Sequence, residues 1–148
     1  MRAWIAFCGL VFAILGATTT IAGDRYQFVG KSNDPLVYLN IDNLVTVGHL
    51  VDAWSVMVFS DGAFGMFRSS FDCVGDTSTM LYVQLYHSDG GSGQMDNVPG
   101  PTDPIIPGSF GDTAFLILCK HQPTDKKLTF DSLESARQAA NTVFHTNP

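Results

Sequence analysis

Hydrophobic and polar positions alternate through much of the first part of this chain of 148 residues. Five β-like runs stand out, each rich in branched or aromatic side chains and bounded by turn-forming residues. The runs are Tyr26–Lys31, Leu36–Ile41, Val45–Ser60, Phe64–Val74 and Thr79–His87. Because consecutive strands joined by short turns pair antiparallel, this pattern predicts an antiparallel meander.

The alternation stops after the fifth run. The segment from Asp89 to Pro107 begins with glycines and contains four prolines. We interpret it as a loop without strand or helix, and a loop of this length in a compact domain is either functional or a passive surface excursion. The candidate binding residues that we assign to this segment are Asp89, Gly90, Gly91, Ser92, Gly93 and Pro107.

Helical spacing follows this segment in two places. Gly108 or Ser109 is expected to cap a short helix. The apolar residues of this helix that should face the sheet are Ala114, Phe115 and Leu118. Asp131 and Glu134 resemble a capping box at the start of a second helix. The apolar stripe of this second helix, which either packs on the domain or binds a partner, comprises Leu133, Ala136, Ala140, Val143 and Phe144.

The first residues have the organisation of an export signal. Arg2 supplies a positive charge, an apolar core runs from Trp4 to Leu15, and small residues follow up to Ala22. The apolar run is too short to span a bilayer comfortably. Cys8 follows Phe7 and precedes most of the apolar core, which favours a cleavable signal over lipid attachment. The chain is therefore expected to be exported, as a periplasmic, secreted or cell-surface protein.

Cleavage after this signal would leave two cysteines, Cys73 and Cys119, which are expected to form a disulfide in an oxidising compartment. It would also leave seven basic against fourteen acidic residues, a formal charge of −7. Phosphate backbones and anionic membrane surfaces need a basic face on the protein. Nucleic acid and anionic membrane surfaces are therefore not expected partners. No stable membrane span is expected either, because no apolar run is long enough.

Candidate chemistry is sparse. The histidines do not follow a metal-ligand spacing, and no serine lies in a Gly-x-Ser-x-Gly elbow. The best polar pair is His87 with Asp89, for which the plain interpretation is a residue at a strand end followed by a turn. The sequence therefore predicts neither catalysis nor a metal or other cofactor.

Three pieces of sequence resemble the bacterial surface-adhesin protein E domain family. They are Phe71-Asp72-Cys73 at a strand end, Tyr86-His87-Ser88-Asp89-Gly90 after the next strand, and Ile106-Pro107-Gly108-Ser109 leading to Cys119. The resemblance covers roughly residues 26–120. It implies an exported α+β domain with a helix packed on an antiparallel sheet, in a family whose founding members bind host proteins.

These observations together predict an α+β fold with an antiparallel sheet of about five to six strands, a packed helix, one disulfide and a C-terminal helix. The expected organisation is a signal peptide at 1–23, a domain at 24–120 and an extension at 121–148. The expected function is protein binding without catalysis, through the loop or a sheet face, with a basic partner favoured by the negative charge. The alternatives are a structural envelope protein, or an enzyme with a site near His87 and Asp89.

Overall fold

A computed structural model describes residues 24–31, 34–97 and 99–146 of the chain. The predicted signal peptide, with Cys8, lies outside these residues, as do two residues of the turn predicted after the first run. Neither helix of the described part has the length and apolar character needed to cross a bilayer. Export and signal cleavage remain predictions.

The described residues form one antiparallel sheet of nine strands, which is more than the five to six predicted. The strands are β1 (Tyr26–Lys31), β2 (Leu36–Asn40), β3 (Val45–Val47), β4 (Leu50–Val58), β5 (Phe64–Asp72), β6 (Thr77–Tyr86), β7 (Ser92–Asp96), β8 (Thr102–Pro104) and β9 (Thr129–Phe130). The strand order is β7-β6-β5-β4-β2-β1-β9, with β3 beside β4 and β8 beside β6.

One of the additional strands comes from the long third run. Gly48 has a positive φ of 61°, which glycine adopts without steric cost, and it turns the chain between β3 and β4. Val47 then pairs with Leu50 across a two-residue connection. The run predicted as one strand over Val45–Ser60 is therefore a hairpin followed by a strand.

Two helices pack on opposite faces of the sheet. Helix α1 (Phe110–Cys119) is capped by Ser109, whose hydroxyl accepts the N–H of Asp112 at 3.1 Å, as predicted. Helix α2 spans Leu133–Thr146. Its cap is Ser132 and not Asp131, because the hydroxyl of Ser132 accepts the N–H of Ser135 at 3.1 Å. Helix α2 therefore begins at Leu133, one residue later than the predicted capping box implies.

The alternation of side chains along the strands gives the sheet two buried faces. The face under α1, here the α1 face, buries Val29, Val37, Leu39, Val51, Ala53 and Phe71. The face under α2, here the α2 face, buries Tyr26, Leu36, Tyr38, Val56, Val58 and Phe64. Strand β2 is buried along its whole length because both helices cover it.

The apolar stripe of α2 packs on the α2 face. Ala136 and Ala140 are completely buried, and Leu133 and Phe144 pack against the same cluster, whereas Val143 is exposed. Arg137 lies with its guanidinium carbon 4.3 Å from the centre of the Phe64 ring. Residues of the predicted C-terminal extension are thus part of the buried core of the described structure.

Candidate functional site

The predicted disulfide between Cys73 and Cys119 is present. Cys73 directly follows β5 and Cys119 is the last residue of α1, so the bond ties the end of the helix to the sheet. Their Cα atoms are 5.2 Å apart, although 46 positions separate the two residues in sequence. The disulfide fixes the position of α1 above its face.

The segment from Asp89 to Pro107 is not a loop without strands, and that prediction was wrong. Strand β7 pairs with one half of β6 and β8 with the other half. Between them, the N–H of Gly100 donates to the carbonyl of Met80 at 2.8 Å. These strands are held by main-chain hydrogen bonds and are mostly exposed, so their side chains do not alternate between apolar and polar.

The structure does not bring the six predicted loop residues together. Asp89, Gly90 and Gly91 form the turn into β7, and Ser92 and Gly93 are the first two residues of that strand. In the turn, the carboxylate of Asp89 accepts the N–H of Gly91 at 2.8 Å. Pro107 lies beyond β8, at the entry to α1. Because β7 and β8 pair with opposite ends of β6, the two groups are separated by roughly 30 Å along the strand.

The candidate pair His87 and Asp89 is also part of this turn. The N–H of His87 donates to the carbonyl of Gly91 at 2.8 Å, and the N–H of Gly90 donates to the carbonyl of His87 at 2.9 Å. His87 lines an open depression of about 320 Å³ with Tyr86 and Gly93. Among the residues that the structure describes, no group of three His, Cys, Asp or Glu side chains is placed to hold a metal ion.

A cavity of about 300 Å³ lies between α1 and the α1 face of the sheet, and we call it the α1 cavity. Its lining comes from six strands (β1, β2, β4, β5, β6 and β8), from the start of α1 and from the segment between β7 and β8. The residues that line it are Val29, Val37, Leu39, Ala53, Ser55, Met57, Phe67, Ser69, Phe71, Ser78, Met80, Gly100, Pro101, Asp103, Phe110, Gly111 and Ala114.

Small side chains on both layers account for the α1 cavity. The strands present Ala53, Ser55 and Ser69, and the helix presents Gly111 and Ala114 above them. Protein interiors are normally packed to the density of organic crystals, so short side chains that face each other leave a space. The disulfide at the far end of α1 and the packing of Phe115 and Leu118 keep the helix from closing onto this space.

The α1 cavity is apolar inside and carries a few polar groups. Leu39, Met57 and Phe67 supply apolar surface, and the polar lining consists of serine hydroxyls and one carboxylate, that of Asp103. Asp103 is exposed, and its strand β8 follows directly after Gly100 and Pro101, which form one wall. The middle of the predicted loop therefore contributes to the site, and its two ends do not.

A wider groove of about 630 Å³ lies near the disulfide. Its lining includes Cys73, Cys119 and the exposed residues Thr46, His49 and Gln122. Because exposed side chains make up much of this lining, the groove is a surface feature. The α1 cavity is smaller, but its floor is formed by buried side chains of the sheet, and it is the better candidate for a binding site.

Two carboxylates outside the α1 cavity have a lowered pKa for structural reasons. The backbone N–H groups of Gly75 and Val74 lower the pKa of Asp72, because both donate to its carboxylate. The side-chain hydrogen bond from Arg25 lowers the pKa of Asp42. Each interaction stabilises a turn or joins two chain segments, and neither group faces the cavity.

Sequence reasoning missed the α1 cavity and the residues that line it. A signal was present, because small residues occur at alternate positions 53 and 55 of one predicted strand and again at Ser69 of the next. Comparison of the chain with known protein families, with curated proteins and with solved structures finds no match. The resemblance to surface-adhesin E domains stays a prediction.

Proposed function

We propose that this chain is an exported binding domain that holds a small molecule in the α1 cavity without converting it chemically. The observation that carries the proposal is the composition of the cavity, a partly open and mainly apolar space of about 300 Å³ with a few separated polar groups. Small-molecule sites in proteins commonly combine a mainly apolar lining with a few polar groups that orient the ligand.

Three further observations support binding and export. The lining of the α1 cavity contains serines but no histidine that would activate one of them as a nucleophile. The disulfide is typical of proteins that fold in an oxidising compartment. The resemblance to surface-adhesin E domains also favours a binding function over a catalytic one.

The size of the cavity limits the ligand. A water molecule occupies about 30 Å³ of liquid volume, so the space admits a ligand of roughly ten non-hydrogen atoms. Burial is worth about 0.8 kcal/mol for each CH2 group, so a six-carbon chain gains roughly 5 kcal/mol. Because association costs translational and rotational freedom, burial of this chain alone supports a dissociation constant no tighter than roughly 0.2 mM.

We expect 1-hexanol to bind the oxidised protein, and we expect the Ser69→Leu variant to lose this binding. Ser69 lines the α1 cavity, so the larger side chain of leucine at this position would occupy part of the space. The matched control is Ser70→Leu, because Ser70 is the next residue of β5 and points to the other face. Isothermal titration calorimetry and saturation-transfer NMR measure the binding.

Retained binding in Ser70→Leu together with lost binding in Ser69→Leu places the ligand in the α1 cavity. Circular dichroism and a cooperative urea transition confirm that both variants fold. The proposal is contradicted if no six-carbon alcohol, amine or acid binds the parent protein, or if Ser69→Leu binds them as tightly as the parent does.

A second candidate function is protein binding through the uncovered part of the α2 face. Three large apolar side chains are exposed together at the hairpin of β3 and β4 on this part of the sheet, namely Val45, Val47 and Leu50. Strand register places them on the same side as Trp54, whose ring contacts that of Tyr82 edge-on with centres 5.5 Å apart. Clustered exposed apolar residues commonly mark protein contact sites.

Val47→Ser is expected to weaken any such contact by about 1 kcal/mol or more, because Val47 is 69% exposed directly before the hairpin turn. Val143→Ser is the matched control, since Val143 is an exposed valine on α2. The measurement is surface plasmon resonance on fractionated envelope and host extracts. Equal binding by the two variants would argue against this face.

A further inference from the structure

We propose that the ligand of the α1 cavity is a small amphipathic cation, with an apolar body inside the cavity and a protonated amine at Asp103. This inference rests on the proposed function and specifies the ligand class. The inference follows from the charges of the residues that line the α1 cavity.

Among the residues that the structure describes, Asp103 is the charged residue of the α1 cavity lining, and no Lys, Arg or His of the described chain contributes to it. Strand register places Asp103 opposite Ser78 on β6, and Ser78 lies opposite Phe71 on β5. One row across the sheet therefore runs from a buried aromatic ring to a hydroxyl and then to an exposed carboxylate. The lining therefore becomes more polar along this row, from the buried floor to the exposed edge at Asp103, which we call the mouth of the cavity.

This change in polarity would orient a ligand that has an apolar end and a positively charged end. The deeper lining, with Leu39, Met57 and Phe67, offers contacts for an apolar body and no charge to pair with. A charged group placed there would lose its hydration without compensation. At the mouth, the carboxylate of Asp103 and the hydroxyl of Ser78 provide acceptors for the N–H donors of an ammonium group.

The same charges disfavour anionic ligands. A carboxylate or phosphate at the mouth would face Asp103 without a cation in the lining to offset the repulsion. The chain as a whole carries a formal charge of −6, which attracts cations to its surface and repels anions. Fatty acids and phosphorylated metabolites are therefore the wrong class of ligand for this cavity.

The test compares three probes that share a six-carbon chain and differ in the end group: 1-hexylamine, 1-hexanol and hexanoate. At neutral pH these are a cation, a neutral molecule and an anion. We expect hexylamine to bind the oxidised protein about fivefold more tightly than hexanol, the gain of a partly exposed ion pair. Hexanoate is expected to bind more weakly than hexanol. Calorimetry at low ionic strength measures all three dissociation constants.

The variant Asp103→Asn is expected to remove the preference for the amine, so that hexylamine binds no more tightly than hexanol does. Asp61→Asn is the matched control, because it changes the net charge equally at an exposed turn outside the lining. A loss of preference in both variants would assign the effect to overall charge and overturn the proposal. Equal binding of the amine and the alcohol by the parent protein would overturn it as well.

The outcomes separate this inference from the proposed function. If hexanol and hexylamine bind equally and Ser69→Leu abolishes both, the cavity is a binding site but the ligand is not selected by charge. If none of the three probes binds, the proposed function itself fails. Tighter binding of hexanoate than of hexylamine would contradict the assigned ligand class directly.

Discussion

Replacing both cysteines, Cys73→Ala with Cys119→Ala, is expected to lower the free energy of unfolding by about 4 kcal/mol. The disulfide joins residues 46 positions apart, and closing a loop of this length restricts the unfolded chain by about that amount in the chain-entropy model. Small domains are stable by only about 5–15 kcal/mol in total, so the loss is large. Urea denaturation of the double variant and the parent measures the difference.

The parent protein under reducing conditions is the matched control for this variant. It should unfold at nearly the same urea concentration as the double variant, because both lack the cross-link. The double variant should also bind hexanol more weakly, since Cys119 anchors the end of α1 above the α1 cavity. A double variant within about 1 kcal/mol of the oxidised parent would contradict the chain-entropy estimate for this bond.

The variant Ala140→Asp is expected to lower the free energy of unfolding by about 3 kcal/mol or more, because it buries a carboxyl without a partner. Ala140 is completely buried between α2 and the α2 face of the sheet. If the C-terminal helix is an integral part of the fold, the whole sheet should unfold at a lower urea concentration. Tryptophan fluorescence reports on the sheet, since Trp54 lies in β4.

Ala139→Asp is the matched control, because it is the preceding residue of the same helix and is only half-buried. Both variants change helix propensity equally, so the difference between them measures burial. An unchanged transition of the sheet in Ala140→Asp would indicate that residues 121–148 are a separable extension of a domain at 24–120. A lowered transition would extend the folded domain to the end of α2.

The sequence predicts the inner strands well because their side chains are buried. Leu36 to Leu39 alternate between two covered faces, and both faces need apolar residues. The same reasoning predicts the stripe of α2, where Ala136 and Ala140 are buried. Buried positions require apolar residues, and the spacing of apolar residues can be read directly from the sequence.

The sequence does not predict the strands that are held mainly by main-chain hydrogen bonds, and it does not predict the α1 cavity. β7 and β8 form through backbone hydrogen bonds to β6, which leave little trace in side-chain pattern. The α1 cavity depends on small residues of different strands, such as Ser55 and Ser69, meeting Gly111 across two layers. Each small residue is unremarkable alone, and only the tertiary arrangement brings them together.

The pairing of β1 with β9 has a consequence for the order in which the protein folds. Tyr26 pairs with Phe130, and the hydroxyl of Thr129 donates to the side-chain oxygen of Gln27 at 2.7 Å, across 102 positions. Contacts between such distant positions form slowly, because the intervening chain must first be brought together. Strand β1 therefore acquires its outer neighbour only after the 102 positions from Gln27 to Thr129 have been synthesised. A nascent chain that still lacks α2 would leave Tyr38 and Val56 open to aggregation.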